Sequence, residues 1–256
     1  MKKRLTSFIN AYREYKLAKS KSKAYRALRN VIVIAVAGYL LLLSFPQVLF
    51  ANEVSHGNFK VYSREPFDQN IYQVLDDVNS KLAASPINDP SVKPKIFLTS
   101  SHRMYACLSL YVGGNSFGKG FAMLPTSNIF INKSDVTKDL VYRRAAEHGQ
   151  RSLSGVLAHE TTHLLIKKKF GYWRNLMIPV WKKEGYSEYV AGGSTLPYET
   201  GVKMWKANPG DGTGYQYFKY YMIVKYLLEH EKVSVEELFN RDFEMESLAE
   251  TVLKTL

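Results

Sequence analysis

The chain has 256 residues, with 35 Lys and Arg against 23 Asp and Glu, for a formal net charge of +12. That length holds one or two domains with a sizeable core. The charge would suit a nucleic-acid partner, but ten of the basic residues fall in residues 1–30 beside a single acid, Glu14, which leaves +3 for the remainder. The basicity belongs to a tail, and nucleic acid is excluded as a partner. Cys107 is the only cysteine, so an intramolecular disulfide and a cysteine-based zinc site are both excluded.

The tail 1–30 interleaves Phe8, Tyr12, Tyr15, Leu17, Tyr25 and Leu28 with Lys and Arg. It reads equally as a basic helix on an anionic membrane surface or as a disordered topogenic tail. Val31 to Phe50 then runs twenty residues without a charge. A helix of that length spans about 30 Å, the thickness of a bilayer's hydrocarbon core. The basic flank sets the N-terminus in the cytoplasm and the rest outside, as a single-pass protein of the cell (inner) membrane facing periplasm or exterior. A cleaved signal peptide competes with a signal anchor. Ala51 could be a −1 residue, but Leu49 is a poor −3, the head is long and the apolar core is full length, so the anchor is preferred.

Residues 51–58 read as a linker, and 59–256 as one domain. Phe59–Ser63 alternates like a strand. Ile71 to Ala84 repeats apolar residues at helical period, and Ser85–Pro94, with three prolines, is a loop. Lys95–Thr99 reads as a strand, Met104–Val112 as either helix or strand, and Gly113-Gly114-Asn115 and Gly118-Lys119-Gly120 as turns. Asn128–Asn132 alternates as a strand, either a sheet edge on which an extended substrate pairs or an ordinary core strand. Asp139–Glu147 reads as a helix. Ser152 to Lys169 is the next helix, stopped by Gly171. Pro179 opens another that ends at Gly192-Gly193. Tyr215–His230 is a long apolar and aromatic helix, Ser234 to Glu237 has capping-box spacing, and Met245–Leu256 closes the chain as a helix.

The chemistry is concentrated in His159-Glu160-Thr161-Thr162-His163. Side chains four apart share a helix face, so His159 and His163 can hold one metal ion between their imidazoles, with Glu160 beside a metal-bound water. This is the H-E-x-x-H pattern, the metal core of zinc peptidases. A catalytic zinc takes three protein ligands and leaves one position open. The longer metzincin pattern fails because Ile166 and Lys169 stand at its glycine and third histidine. The other option is a glutamate from a following antiparallel helix, where the stretch Trp181 to Tyr189 contains W-x-x-E-G-x-x-E-Y.

With these two motifs, over roughly residues 128–228, the chain resembles the gluzincin branch of the zinc peptidases. The resemblance implies an α+β, zincin-like domain: a small mixed sheet packed on the H-E-x-x-H helix, then a mainly helical C-terminal part, behind one transmembrane helix. It implies Zn2+ held by His159, His163 and Glu184, with Glu160 as general base. Glu188, four residues after Glu184, is similarly placed to the acid that orients the first histidine and would accept its free N–H. Related enzymes stabilise the oxyanion with a Tyr or His from the helical part; Tyr215, Tyr217, Tyr220 and Tyr221 are the candidates, and Tyr217 is chosen. His230 is assigned a helix-end charge, and His56, His102 and His148 no role. The spacing between the motifs is two residues longer than in the aminopeptidases of that branch. A G-x-M-E-N element, which those enzymes use to hold a substrate amino terminus, is absent. The function expected is a membrane-anchored zinc peptidase acting on a peptide or protein substrate, with the membrane held through residues 31–50 and no membrane-protein partner assigned. The alternatives are a zinc amidase or similar hydrolase of the cell envelope, and a non-catalytic envelope component that keeps the fold.

Overall fold

The computed structural model describes residues 2–110, 116–120, 126–144, 150–207 and 213–256. The expected Gly113–Asn115 turn and His148 lie outside them. The chain divides into two compact units, residues 1–46 and 47–256.

The first unit is two helices, α1 (Lys2–Lys21) and α2 (Lys23–Ser44), separated at Ser22 by one residue of extended backbone. The tail is thus helical. The apolar helix starts eight residues earlier than the charge-free run and stops at Ser44, short of Phe50. Pro46 explains the stop, because proline cannot donate an intrahelical hydrogen bond and pushes the residue before it out of helical geometry. At 22 residues α2 is long and apolar enough to cross a membrane. Its Val31, Ile32, Val33 and Ile34 are all mostly exposed, a contiguous apolar surface that soluble proteins rarely leave bare.

The second unit is mixed α and β. The segment expected as a linker is strand β1 (Asn52–His56), paired antiparallel with β2 (Phe59–Ser63) through a turn in which Gly57 takes φ +56°. Its polar residues conceal it, because only alternate side chains are half-buried. Helix α3 (Asn70–Ala83) buries Ile71, Val74, Leu75, Val78 and Leu82, the expected face, and crosses over to β3 (Lys95–Leu98), parallel to β2. The ambiguous stretch after it is helix α4 (His102–Ser109), with Ser101 accepting a hydrogen bond from Met104 N–H; residues 111 and 112 are outside the description. Strand β4 (Gly118–Gly120) pairs antiparallel with β5 (Asn128–Ile131), which is parallel to β3. The described sheet therefore runs β1-β2-β3-β5-β4.

This order corrects the edge option for Asn128–Asn132. Strand β5 is paired on both sides and all four of its residues are buried, while the glycine segment expected as a turn supplies the edge strand β4. Three glycine-rich residues carry too little alternation to announce a strand.

A second small sheet is formed by β6 (Ser134–Asp135), β7 (Leu140–Tyr142) and β8 (Gln150–Ser152). The helix expected over Asp139–Glu147 is not formed over its described part. Asp139 sits in left-handed geometry at φ 50° and Leu140–Tyr142 pair as a strand, which suits the Val and Tyr there; residues 145–147 are outside the description.

The remaining helices are α5 (Leu153–Phe170), α6 (Tyr172–Met177), α7 (Val180–Ala191), α8 (Tyr198–Ala207), α9 (Thr213–Lys225), α10 (Val235–Asn240) and α11 (Met245–Thr255). A π-helical turn, Tyr226–His230, continues α9. Helices α6 and α8 have no counterpart in the sequence reading, whereas the capping box of Ser234 and Glu237 forms as expected. Helix α5 is the centre of the unit. It packs on α3 and β4 on one side and on α7 on the other, and eleven of its eighteen residues are buried.

Candidate metal centre

Helix α5 is fixed at both ends by its own sequence. Ser152 Oγ accepts from Gly155 N–H at 3.2 Å, and the Asp139 carboxylate accepts from Ser154 N–H and Oγ at 2.7 and 2.8 Å. A negative group at a helix start also complements the helix dipole. Lys167, Lys168 and Lys169 occupy the last turn, and Gly171 closes it with φ +83°. The ends being set, the rotation of the helix carries His159 and His163 onto one face.

That face meets α7, which Pro179 opens and Gly192 (φ +90°) closes. Gly185 lets α7 lie hard against α9, since a Cβ there would overlap the Tyr220 carbonyl and approach Val224 Cγ2 to 2.7 Å. A helix held that tightly from behind can present Glu184 to α5.

The three expected ligands come together. Nε2 of His159 and Nε2 of His163 are 3.1 Å apart, and Oε2 of Glu184 lies 3.2 Å from the first and 3.5 Å from the second. A tetrahedral zinc with bonds of about 2.0–2.1 Å holds its donors about 3.3 Å apart. The observed separations straddle that value, so the residues fit such an ion. Donors of this kind crowd one another without a cation, which the electrostatics reflect. Burial raises the Glu184 carboxyl, but the adjacent imidazoles outweigh it and hold the group well below the usual carboxylate range. Burial lowers His163, and the charge and hydrogen bonding of Glu184, with the charge of Glu160, more than offset this to raise it.

Both imidazoles are oriented from behind. His163 Nδ1 is 3.3 Å from Ser187 Oγ, which is fully buried. His159 Nδ1 faces Glu188 Oε1 at 3.4 Å, long for a hydrogen bond, and has no shorter partner. Glu188 is also fully buried, and it is gripped by Arg151 of β8, whose Nη1 and Nη2 donate to Oε1 and Oε2 at 2.9 and 2.5 Å. Ser187 and Arg151 escaped the sequence reading. Ser187 had a signal, since it stands three residues after Glu184 on the same short helix; Arg151 had none.

Glu160 points to the other wall. Its Oε2 accepts from Gly120 N–H at 3.1 Å, and a Cβ on Gly118 would fall 2.9 Å from its Cγ, so β4 passes directly over it. The cleft between β4, α5 and α7 encloses about 440 Å³. Tyr217 lines it, and burial, then the charges of Glu184 and Glu160, push its hydroxyl upward, so it stays protonated. Tyr215 and Tyr220 are not among the described lining residues, and Tyr221 lines a separate cavity.

The other described histidines are engaged elsewhere. His56 contacts Asp76 at 2.6 Å, His102 contacts Asn132 at 2.8 Å, and the exposed His230 stacks on Tyr226. Neither the scan of protein-family models nor the search of curated proteins returns a match for this chain.

Proposed function

We propose that the chain is a membrane-anchored zinc peptidase of the gluzincin type, with a zincin-like catalytic unit that hydrolyses peptide bonds outside the cytoplasm. The observation that carries this is the triangle of His159 Nε2, His163 Nε2 and Glu184 Oε2, with sides of 3.1, 3.2 and 3.5 Å. Supporting it are the small mixed sheet packed on α5, the helical remainder, and α2 with its basic flank.

His159, His163 and Glu184 would hold the zinc, which would supply a Lewis acid able to polarise a carbonyl and bring the pKa of a water towards ~7. The chain's own residues do the rest. Glu160 would act as the general base on the attacking water and pass its proton to the leaving amine. Its tether to Gly120 N–H keeps the carboxylate over the cleft, beside the sheet edge. Strand β4 offers an extended peptide the backbone groups of an edge. Tyr217, held protonated, donates its hydroxyl hydrogen to the oxyanion.

The test uses residues 47–256, the second compact unit. It should bind one zinc per chain and hydrolyse an unstructured polypeptide. Glu184→Ala should lose the metal. Glu160→Gln should keep it and lose about 10²–10⁴-fold in turnover, the range of a general base. A folded fragment that takes up no zinc overturns the proposal.

A further inference from the structure

We infer that Arg151 is a positioning residue of the zinc site proposed above, acting through Glu188 on the orientation and tautomer of His159; the assignment rests on that reading of the site. The geometry is a three-part relay. The Arg151 guanidinium meets the Glu188 carboxylate with both ends of its fork, at 2.9 and 2.5 Å. Its Nη2 also donates to the Gly193 carbonyl at 2.9 Å, just past the end of α7. The oxygen that accepts from Nη1, Oε1, is the one facing His159 Nδ1 at 3.4 Å.

Each contact has a chemical consequence. For His159 to offer Nε2 to a cation, its hydrogen must sit on Nδ1, and only an acceptor opposite Nδ1 enforces that tautomer. A carboxylate is acceptor-only while ionised. Glu188 is fully buried, where a carboxylate is costly without a partner charge in contact. Arg151 supplies that charge. Its planar, two-point grip also fixes the carboxylate plane, which a lysine ammonium cannot do. The bond to Gly193 ties the same guanidinium to the end of the helix that carries Glu184. One side chain, set just before α5, thus ties the orienting acid to the end of the helix that carries Glu184.

The competing role is plain neutralisation of a buried acid. A neutralising cation can be replaced by Lys; a positioning fork cannot. The test is zinc affinity of the full chain in detergent, measured by chelator competition for wild type, Arg151→Lys, Arg151→Met, Glu188→Met and the Arg151→Met/Glu188→Met pair, with far-UV circular dichroism on each. Loss of a group that orients a ligating histidine typically weakens metal binding about 10–100-fold. Arg151→Met and Glu188→Met should each fall in that range. The pair should be no weaker than Glu188→Met alone, since Arg151 then has nothing to act through. Arg151→Lys, which keeps the charge and the fold, should still bind measurably more weakly than wild type. It carries the decision if Arg151→Met does not fold. Wild-type affinity in Arg151→Lys, or a full second loss when Arg151→Met is added to Glu188→Met, overturns the assignment. A wild-type chain that takes up no zinc overturns the zinc reading, and the assignment with it.

Discussion

Gly185→Ala sets two effects of opposite sign against each other. In an ordinary helix interior the change adds stability, by about 0.5–1 kcal/mol, because alanine loses less conformational freedom than glycine. Here the new Cβ would overlap the Tyr220 carbonyl and lie 2.7 Å from Val224 Cγ2. The valine can give a little; the carbonyl is part of the backbone of α9 and cannot rotate away. Relief needs α7 and α9 to separate by several tenths of an ångström to an ångström. Overpacking of this kind costs about 1–3 kcal/mol, and contact with backbone puts it at the upper end. The packing term wins, for a net loss of about 2 kcal/mol. With a urea m-value of about 2–3 kcal/mol/M, the unfolding midpoint should fall by nearly 1 M. The neighbouring Glu184 moves with the helix, so its 3.2 and 3.5 Å separations from the histidines are disturbed and zinc affinity drops without any ligand being changed. Urea unfolding and zinc competition on the same variant check both halves. A Gly185→Ala protein that is more stable than wild type, with unchanged zinc affinity, refutes the close approach of α7 and α9.

Zinc binding should strengthen with pH on the acid side of neutrality. Folded without metal, Glu184 is depressed and contributes stability above its ordinary value that is lost as pH falls through the folded one. His163 is raised, so its contribution is complete below about pH 6.5 and is lost as pH rises through its folded value. Zinc needs His163 neutral and must displace that proton, so calorimetry in buffers of different ionisation enthalpy should register proton release just above pH 6.5; none released would contradict the ion pair. Tyr186 is buried against Ser85, and burial pushes its hydroxyl up to about 12. The sign is that of a raised group, with stability present below about pH 10 and lost as pH climbs through 12. The two-unit shift corresponds to about 2.7 kcal/mol, so Tyr186→Phe should flatten the alkaline limb of the stability curve, and an unchanged limb would count against the burial. Tyr217→Phe should leave zinc stoichiometry and KM near wild type while cutting kcat about 10²-fold or more, as loss of an oxyanion donor does; an unaltered kcat would move that role to another group.

The part of the site legible in the sequence is the part that follows a fixed period. His159 and His163 share a face because a helix turns about 100° per residue, and Glu184 is found because a short motif surrounds it. What could not be read depends on partners far along the chain. Arg151 earns its contact from Glu188, 37 residues on, with nothing local to mark it. The glycines of β4 look like turn residues because a strand of three, two of them without side chains, has no alternation to show. Strand β1 hides for the opposite reason, since its polar half-buried residues match the composition of a linker. The helix read over Asp139–Tyr142 fails because Asp139 is drawn into capping the next helix and the β-favouring Val141 and Tyr142 pair as sheet.

The packing of α5 against α7 carries a consequence for how the protein matures. His159, His163 and Glu184 sit on two regular helices whose positions are set by apolar burial. Small zinc domains commonly stay unfolded until the ion arrives, because binding energy is their folding energy. On the proposed reading, apolar burial of α5 and α7 would bring His159, His163 and Glu184 together whatever the metal supply, so stripping zinc with a chelator should leave the far-UV circular dichroism unchanged.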